Sequence, residues 1–427
     1  MHNPDWLETG LNHIWLPYTQ MKTAPTPVGV SHIEGVTLEL TDGRKLVDGV
    51  GSWWTCVHGY NHPRLKAALI EQLDRLPHVM LGGLGHEPAY ALATRLATLT
   101  PGDLNRSFFC ESGSVAVEVA MKVAVQYWLN TGEGVRPKFL AFKGGYHGDT
   151  FATMSVCDPD EGMHSLFGEA LPAQHIVDLP TDEASIAALN DTLAQNKDIA
   201  AVIVEPLIQG AGGMRMHDAA TLRQIREACD RHNVILIFDE IFTGLGRTGD
   251  LFASIKSGVT PDIMTIGKAL TGGITPLAAA VVSERIYAAF HDEDGSKALM
   301  HGPTFTGHAL ACAVAMASLD LIEETDAIGK VRKLEAELTS RLAPLRGRPN
   351  VAEVRVMGAV AAVELNHDFN VDDARAAFIA RGTFIRPLGR VIYLTPSYTI
   401  QPEELSVLTE AISAIVDALG DQAASAG

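Results

Sequence analysis

The sequence predicts an α/β protein with a large central domain and a smaller α+β domain built from both chain ends. The middle of the chain alternates short apolar runs with helical patterns, which is typical of βαβ units around a mostly parallel sheet. The two ends lack that alternation and mix short strands with helices. We therefore expect residues 51–319 to form the large domain, and residues 1–50 and 320–427 to form the small one.

The elements follow in chain order. Residues 28–50 predict a short antiparallel meander that turns at Thr41-Asp42-Gly43. Six later runs are apolar on both faces, as expected of strands buried between two helix layers. These runs are residues 107–110, 138–142, 199–204, 234–238, 263–266 and 277–282. Helical patterns between them include residues 115–129 and 219–232, and a long charged helix is expected soon after residue 320.

Composition excludes some classes of function. The chain has 427 residues and a formal net charge of -18, which argues against a nucleic-acid partner, because phosphate backbones are bound mainly by Lys and Arg. Its apolar runs are too short to span a bilayer. The start has no secretory pattern, and the five cysteines show neither paired nor zinc spacing, so we expect a cytoplasmic protein with reduced thiols and no metal.

Asp239 directly follows the apolar run 234–238. The carboxyl ends of strands form the ligand edge of an open α/β sheet. A carboxylate buried there is costly to desolvate unless a cation meets it, and a protonated pyridinium nitrogen is one such cation. An ordinary helix cap or a surface ion pair is the alternative.

Lys268 lies among glycines just after the run 263–266, and we expect it at the same edge of the sheet. A lysine that binds a cofactor covalently must be partly desolvated so that its amine is available, whereas a solvated lysine in a turn is the alternative. Asp239 and Lys268 together favour the first interpretation. Strand-end groups of opposite charge are what the ring of pyridoxal phosphate (PLP) needs at its two ends.

Gly113 and Ser114 lie just before the predicted helix 115–129. A glycine lets a ligand approach the backbone closely, and the free N–H groups of a first helical turn bind anions. The alternative is a plain N-cap serine. Beside Asp239 and Lys268, this turn predicts a phosphate site.

Aromatic residues cluster in Gly- and Pro-rich stretches: Trp15 and Tyr18, Trp53 and Trp54, and Tyr146. Aromatic residues in loops line pockets more often than those in a periodic core stripe, although one or two of these are expected to be structural.

Two other patterns are rejected. Residues 244–249 match the glycine fingerprint of dinucleotide-binding proteins, but the spacing from the preceding strand and the missing acidic residue argue against it. His58 and His62 lie in a loop without a nearby third ligand, so no metal site is expected there.

Over nearly its whole length the chain resembles the class III aminotransferases, which are PLP enzymes of fold type I, the aspartate-aminotransferase-like fold. Within that class, the double Trp and the Pro-Tyr near the start resemble the members that act in biotin biosynthesis. The stretches that carry the resemblance are residues 14–19, 52–54, 58–63, 112–122, 145–150, 157–160, 209–214, 239–240, 267–273 and 301–305.

The resemblance implies a catalytic set of Lys268, which carries the cofactor, Asp239, which pairs with the pyridine nitrogen, and Tyr18, which lies against the keto substrate. It also implies a homodimer in which one subunit completes the phosphate site of the other. The implied cofactor residues are Gly113, Ser114, Tyr146, Asp239 and Lys268, with Pro303 and Thr304 from the partner subunit. The implied substrate residues are Tyr18, Trp53, Trp54, Tyr146, Lys268, Gly302 and Arg386.

Arg386 suits a planar carboxylate because its guanidinium can bind in a bidentate manner. Two positions depart from the family pattern, since Leu16 and Phe242 stand where histidine and alanine are common. Both departures affect the expected donor pocket, and neither affects the catalytic groups.

The implied reaction moves an amino group from S-adenosylmethionine to 8-amino-7-oxononanoate and gives 7,8-diaminononanoate. Lysine as the donor, or another ω-aminotransferase that acts on ornithine or a diamine, are the alternatives within the class. An aminomutase and a PLP-binding regulator are the alternatives outside it, since a fold alone does not determine function.

Overall fold

The structure, a computed structural model, describes residues 4–160 and 164–426, without the side chains of 422–426. It contains two compact units. The large unit comprises residues 63–335 and 357–359. The small unit comprises residues up to 62, 336–356 and those from 360 onward.

The described helices are α1 (Asp5–Gly10), α2 (Gly51–Trp54), α3 (Pro63–Arg75), α4 (Glu87–Leu99), α5 (Gly113–Asn130), α6 (Phe151–Ser155), α7 (Glu183–Gln195), α8 (Ala219–His232), α9 (Ala253–Ser257), α10 (Glu284–Ala288), α11 (Ala309–Glu324), α12 (Ala327–Leu342), α13 (Val371–Ala380) and α14 (Pro402–Ala426). Short 3₁₀ helices lie at Ser165–Ala170, Lys268–Thr271, Gly295–Lys297 and Ala343–Leu345.

The described strands are β1 (Val30–Glu34), β2 (Thr37–Leu40), β3 (Lys45–Asp48), β4 (Leu104–Cys110), β5 (Lys138–Phe142), β6 (His175–Val177), β7 (Ile199–Val204), β8 (Ile208–Gln209), β9 (Arg215–Met216), β10 (Ile235–Asp239), β11 (Ile263–Ile266), β12 (Ala278–Ser283), β13 (Val351–Met357), β14 (Val360–Leu365), β15 (Thr383–Phe384) and β16 (Val391–Leu394).

The large unit is built around a seven-stranded sheet in the order β4-β12-β11-β10-β7-β5-β6. Its strands run parallel except β12, which pairs antiparallel with both neighbours. Every side chain of β7, β10, β11 and β12 is buried, because helices cover the sheet. Helix α5 packs on this sheet, and its Trp128 lies in one buried cluster with Phe139 and Ile203. The mixed, mostly parallel sheet confirms the predicted α/β class.

The small unit contains two sheets, in the orders β1-β2-β3-β15 and β13-β14-β16. Strands β1 to β3 form the predicted antiparallel meander, and the turn between β2 and β3 holds Asp42, which accepts hydrogen bonds from Arg44. The short strand β15 joins β3 in parallel, so that residues far apart in sequence share one sheet.

Local chemistry sets most element bounds. Asp218 caps α8 by accepting a hydrogen bond from Thr221 N at 2.9 Å, and Asn233 ends the helix in the left-handed conformation, so that α8 spans the predicted residues. Helix α5 begins at Gly113, two residues before the predicted start, because Ser112 provides its cap. Strand β10 begins and ends one residue later than predicted, so that it includes Asp239.

The compact units divide the chain at 62/63 and 335/336, whereas the sequence prediction placed the boundaries at 50/51 and 319/320. Residues 51–62 belong to the small unit because Tyr60 pairs with Gly35 and donates a hydrogen bond to Asp48. Helix α11 belongs to the large unit because Ala317 and Leu321 pack on Leu65.

Among the described residues, no helix is both long enough and apolar enough to cross a membrane.

Candidate active site

Asp239 and Lys268 lie at the carboxyl ends of two adjacent parallel strands of the large unit. Strands β10 and β11 pair in a register that sets Asp239 opposite Thr265, and Lys268 follows two residues after the end of β11. This is the edge at which α/β sheets bind their ligands. The structure therefore brings the two predicted catalytic groups to one edge.

Asp239 is 4% exposed, and its carboxylate is held on both oxygens. The Nδ1 atom of His147 lies 2.8 Å from Oδ2, and the hydroxyl of Thr265 donates to Oδ1 at 3.1 Å. The backbone N–H of Ile241 also donates to Oδ1, at 3.2 Å. A buried carboxylate with this many donors stays oriented, so it can face a cationic ligand without reorganising.

Lys268 is partly buried and has a backbone φ of 42°, in the left-handed region. Burial lowers the pKa of its ammonium, and the negative charges of Asp239 and Glu205 oppose this effect. Its Nζ lies 5.9 Å from the centre of the Phe242 ring, which is itself 5% exposed. A lowered pKa makes the neutral, nucleophilic amine more accessible near neutral pH.

Glu205 is a further buried carboxylate of this region, 5% exposed. It accepts hydrogen bonds from the backbone N–H groups of Tyr146 at 2.9 Å and Gly210 at 3.0 Å. Burial raises its pKa to about 7, while His147 lowers it and Asp239 raises it. Glu205 thus links the charges at the sheet edge to the loop that carries Tyr146.

Tyr146 lies in that loop, after β5. Its hydroxyl donates to Asp149 Oδ1 at 2.9 Å, and the Nε2 atom of His164 lies 2.9 Å from the same oxygen. The rings of Tyr146 and His164 stack with centres 5.9 Å apart. These contacts fix the plane of the tyrosine ring, as a stacking role requires.

The anion site predicted from the sequence falls at the start of α5. Ser112, and not Ser114, is the N-cap, since its hydroxyl accepts from Val115 N at 3.3 Å. Ser114 lies in the first helical turn, where its hydroxyl accepts from Asp149 N at 3.1 Å. Gly148 has a φ of 128°, and a Cβ there would lie 2.2 Å from Ser114 Oγ, so only glycine allows this close approach.

These residues fit the expected PLP. The first turn of α5 offers backbone donors for a phosphate, Tyr146 offers a fixed aromatic face, Asp239 offers a carboxylate for a ring cation, and Lys268 offers an amine. Each group lies in the large unit, on a regular element or within four residues of one.

The predicted substrate residues Tyr18, Trp53, Trp54 and Arg386 lie in the small unit. The guanidinium carbon of Arg386 lies 4.9 Å from the centre of the Trp53 ring, and Trp53 is 42% exposed. Trp54 is 8% exposed and packs edge-on against Tyr393. Tyr18 is 52% exposed and has a φ of 50°. Trp54 is therefore an anchor in the small unit, whereas Trp53 and Tyr18 present exposed rings.

Arg386 is partly buried, and among the described residues it makes no ion pair with a carboxylate. Burial and the nearby charge of Arg375 lower the pKa of Arg386. A partly desolvated guanidinium without a carboxylate partner is suited to bind an anionic ligand.

Gly302, Pro303 and Thr304 lie in a loop of the large unit between a 3₁₀ helix and α11. Gly302 and Thr304 are exposed, and Pro303 is partly exposed. The loop is held at Thr306, whose hydroxyl donates to Phe109 O at 2.7 Å.

The sequence prediction did not include His147, Glu205 or Asp149 among the site residues. His147 and Asp149 flank a glycine beside Tyr146, a stretch that was noted for its aromatic residue alone. A polar cluster after a buried strand was the signal that could have pointed to both. Glu205 directly follows the buried strand β7, as Asp239 ends β10, so the same argument from strand ends applied to it.

Comparison with known proteins identifies the family of the chain. The family model "Aminotransferase class-III" matches residues 18–416. An adenosylmethionine-8-amino-7-oxononanoate aminotransferase of Corynebacterium glutamicum is 43% identical over 424 residues, which cover 97% of this chain and 99% of that protein. An enzyme of the same name from Mycobacterium leprae is 43% identical and covers 96% of each chain.

Solved structures give the same result. A crystal structure of adenosylmethionine-8-amino-7-oxononanoate aminotransferase from Methanocaldococcus jannaschii is 32% identical, with a TM-score of 0.91 over 96% of this chain and 98% of that one. A PLP-bound amine transaminase from an uncultivated Pseudomonas species is 33% identical, with a TM-score of 0.89 over 95% and 98% of the two chains. The transaminase fold and the enzyme class predicted from the sequence are thus confirmed, and the chain belongs to the class III aminotransferases.

Proposed function

We propose that this aminotransferase uses PLP to transfer an amino group from S-adenosylmethionine to 8-amino-7-oxononanoate, which makes 7,8-diaminononanoate for biotin biosynthesis. The observation that carries the chemistry is the partly buried Lys268 amine at the same sheet edge as the Asp239–His147 pair. The choice of substrates is supported by the relatives of C. glutamicum and M. leprae, which carry the name of that activity.

PLP, when bound, supplies an electron sink that stabilises negative charge on the carbon next to the amine. Asp239, held by His147 and Thr265, presents a carboxylate that favours a proton on the pyridine nitrogen. Gly113, Ser114 and the N–H groups of the first turn of α5 hold the phosphate, and Tyr146 holds the ring.

Lys268 acts as the general base and acid. Its Nζ takes a proton from the Cα atom of the donor and later delivers one to the acceptor carbon that receives the amine. Burial supports both steps, since a lowered pKa keeps part of the amine neutral near neutral pH. The neighbouring carboxylates Asp239 and Glu205 then stabilise the protonated form.

Arg386 binds the carboxylate of each substrate in turn. A single guanidinium that serves both explains how one enzyme accepts two dissimilar molecules, because each carries a carboxylate that can be bound in a bidentate manner. Trp53 beneath the guanidinium and the exposed ring of Tyr18 provide apolar surface for the rest of the substrate. Gly302 completes the proposed substrate set together with Trp54, whose part is to anchor the turn that carries Trp53, since it is 8% exposed and packs against Tyr393.

The enzyme works as a cytoplasmic homodimer in which Pro303 and Thr304 contribute to the phosphate site of the partner subunit. The exposure of Met300 and Phe305, which lie on either side of residues 302–304, supports this proposal, since exposed large apolar side chains often mark an interface. The five cysteines are free and buried, as suits a reducing compartment.

Mixed dimers test the shared site. Lys268→Ala and Thr304→Ala subunits, each nearly inactive alone, should recover about a quarter of wild-type activity when they are unfolded together and reassembled. Half of the dimers are then mixed, and one site in each combines the intact lysine of one subunit with the intact threonine of the other. Activity that stays at the level of the single variants would show that Thr304 acts on its own subunit's site.

The direct test of function is product analysis by mass spectrometry. Purified protein, PLP and 8-amino-7-oxononanoate are incubated with S-adenosylmethionine or with lysine as donor. Diaminononanoate with S-adenosylmethionine alone supports the proposal, and product with lysine alone keeps the pathway but changes the donor. Absence of product from both, in a protein that still binds PLP, would leave another ω-aminotransferase activity. Turnover without any acceptor would indicate an aminomutase, and no turnover with any donor would indicate a regulator.

A further inference from the structure

Residues 51–54 of the small unit form a turn with left-handed backbone. The φ angles are 55° at Gly51, 47° at Ser52, 53° at Trp53 and 76° at Trp54. Single residues adopt this conformation routinely only when they are glycine, because the Cβ of other residues crowds the next carbonyl oxygen. Three successive residues with side chains in this region therefore need stabilisation from their surroundings.

The stabilising groups are Asp48 and Tyr60. Asp48 is 2% exposed, and its Oδ1 atom accepts a hydrogen bond from Val50 N at 2.8 Å. Its Oδ2 atom accepts one from Ser52 N at 3.3 Å and one from the hydroxyl of Tyr60 at 2.6 Å. The hydroxyls of Ser52 and Tyr60 lie 2.5 Å apart. The buried Asp48 carboxylate and the Tyr60 hydroxyl thus hold the start of the turn at Val50 and Ser52.

The turn sends its two tryptophans in different directions. Trp54 is buried against Tyr393, which fixes the end of the turn. Trp53 remains 42% exposed. The guanidinium carbon of Arg386 lies over the Trp53 ring, 4.9 Å from its centre. An aromatic ring beneath a guanidinium restricts the orientation of the guanidinium plane, whereas the side chain of an arginine without such a ring is flexible. The left-handed backbone is what points adjacent tryptophans to these two places.

We infer that Asp48 and Tyr60 are positioning residues for substrate recognition: they hold the turn that places Trp53 under Arg386, and so set the affinity for the substrate carboxylate. This inference rests on the proposed role of Arg386. Neither residue takes part in proton transfer, since the chemistry is assigned to Asp239 and Lys268. The expected defect of a Tyr60 variant is therefore in KM and not in kcat.

Tyr60→Phe is the main test, because it removes one hydroxyl and keeps the ring. For 8-amino-7-oxononanoate we expect KM to rise about tenfold, because the turn loses one hydrogen bond to a charged group. The kcat should stay within about threefold of the wild-type value. An amino ketone of the same chain length without the carboxylate should show a clearly smaller rise in KM, because only its apolar contact with Trp53 is affected. Asp48→Asn should act in the same direction, and Asp42→Asn, in the exposed turn of the same unit, is the matched control.

Binding of octanoate, measured by calorimetry, provides a readout that does not depend on turnover. Wild type should bind this simple carboxylate about tenfold more tightly than Tyr60→Phe. If wild type forms no diaminononanoate but octanoate binding still weakens in the variant, the proposed substrate is wrong and the positioning role stands. The inference is overturned if wild type turns over while Tyr60→Phe changes neither KM nor octanoate affinity. An equal rise in KM for the ketone that lacks the carboxylate would overturn it as well.

Discussion

The sheet edge of the large unit and the left-handed turn of the small unit hold their side chains in different ways. Asp239 ends β10, whose backbone is regular up to that residue, and Lys268, although its own φ is 42°, follows the regular strand β11 by two residues. Trp53 is placed by a backbone that its own residue type disfavours. The reacting groups thus lie at or just after the ends of paired strands, whereas the group proposed for recognition depends on a few side-chain hydrogen bonds.

The two regions also differ in how they compensate unfavourable free energy. At the sheet edge the cost is desolvation of charge, and opposite charges and backbone N–H groups offset it. In the turn the cost is backbone strain, and Asp48 and Tyr60 offset it. Mutations at the edge should therefore act on chemistry and on pH dependence, and mutations at the turn on substrate affinity and local stability.

The largest effect is expected at Lys268. Lys268→Ala removes the general base and the cofactor attachment, so kcat should fall by at least about 10³-fold. Lys143→Ala, a half-exposed lysine paired with Asp178, is the control and should leave kcat unchanged. Steady-state assays of diaminononanoate formation compare the two. A Lys268→Ala enzyme within tenfold of wild type would mean that the sheet edge is not where the chemistry occurs.

The next effect is a pH dependence at Glu205. Its pKa is raised from 4.5 to about 7 in the folded state. Between pH 4.5 and pH 7, the folded protein therefore binds a proton at Glu205 that the unfolded chain has released. The stability that this group contributes is present below pH 4.5 and is lost as the pH rises through 7. The loss amounts to about 3 kcal/mol, at about 1.4 kcal/mol for each pKa unit.

Glu205→Gln tests this dependence, since glutamine keeps the shape and does not titrate. The free energy of unfolding in urea should shift in favour of the variant by up to about 3 kcal/mol between pH 5 and pH 8. Glu240, also buried with a pKa raised to about 7, is unchanged in both proteins and so cancels in the comparison. A constant difference between the two proteins at all pH values would contradict the assignment.

At Arg386 the expected effect is on affinity. Arg386→Ala should lower kcat/KM for both substrates by about 10- to 100-fold, through KM, and Arg386→Lys should restore only part, because an ammonium lacks the bidentate geometry. Arg390→Ala is the control, since Arg390 is half exposed and lies 3.8 Å from Asp368. A defect toward one substrate alone would show that the other carboxylate is bound elsewhere.

The regular framework of the large unit was predictable from the sequence because each of its signals is local. Strand β7 is six apolar residues, and helix α8 is bounded by an aspartate cap and an asparagine end, so both were predicted with the observed bounds. Asp239 and Lys268 were found because strand ends fix where a following residue lies.

The rest depended on contacts between distant residues. His147 meets Asp239 from a loop 92 residues away, and no local pattern reports such a pairing. The left-handed turn was also invisible, since serine and tryptophan do not favour positive φ. What holds it is a hydrogen bond from Tyr60 to the buried Asp48, two residues that lie 12 apart in sequence, and no local pattern reports that contact.

The smallest effect tests the strain itself, at Ser52. Ser52→Ala and Ser52→Gly both remove the hydroxyl that meets Tyr60, so the two variants differ only in how they tolerate a φ of 47°. Glycine avoids about 1 to 2 kcal/mol of strain in the folded state, and its more flexible unfolded chain costs about 0.4 to 1 kcal/mol. Ser52→Gly should thus be the more stable of the two, by about 0.5 kcal/mol.

Ser340, exposed within the right-handed helix α12, gives the matched control. There the order should reverse. The free energy of unfolding of Ser340→Ala should exceed that of Ser340→Gly by about 1 kcal/mol, since glycine is unfavourable within a helix. Urea unfolding of the four variants measures both differences. If alanine is the better residue at both positions, the turn at 51–54 is not under strain in solution, and the hydrogen bonds of Asp48 and Tyr60 then hold a relaxed loop instead.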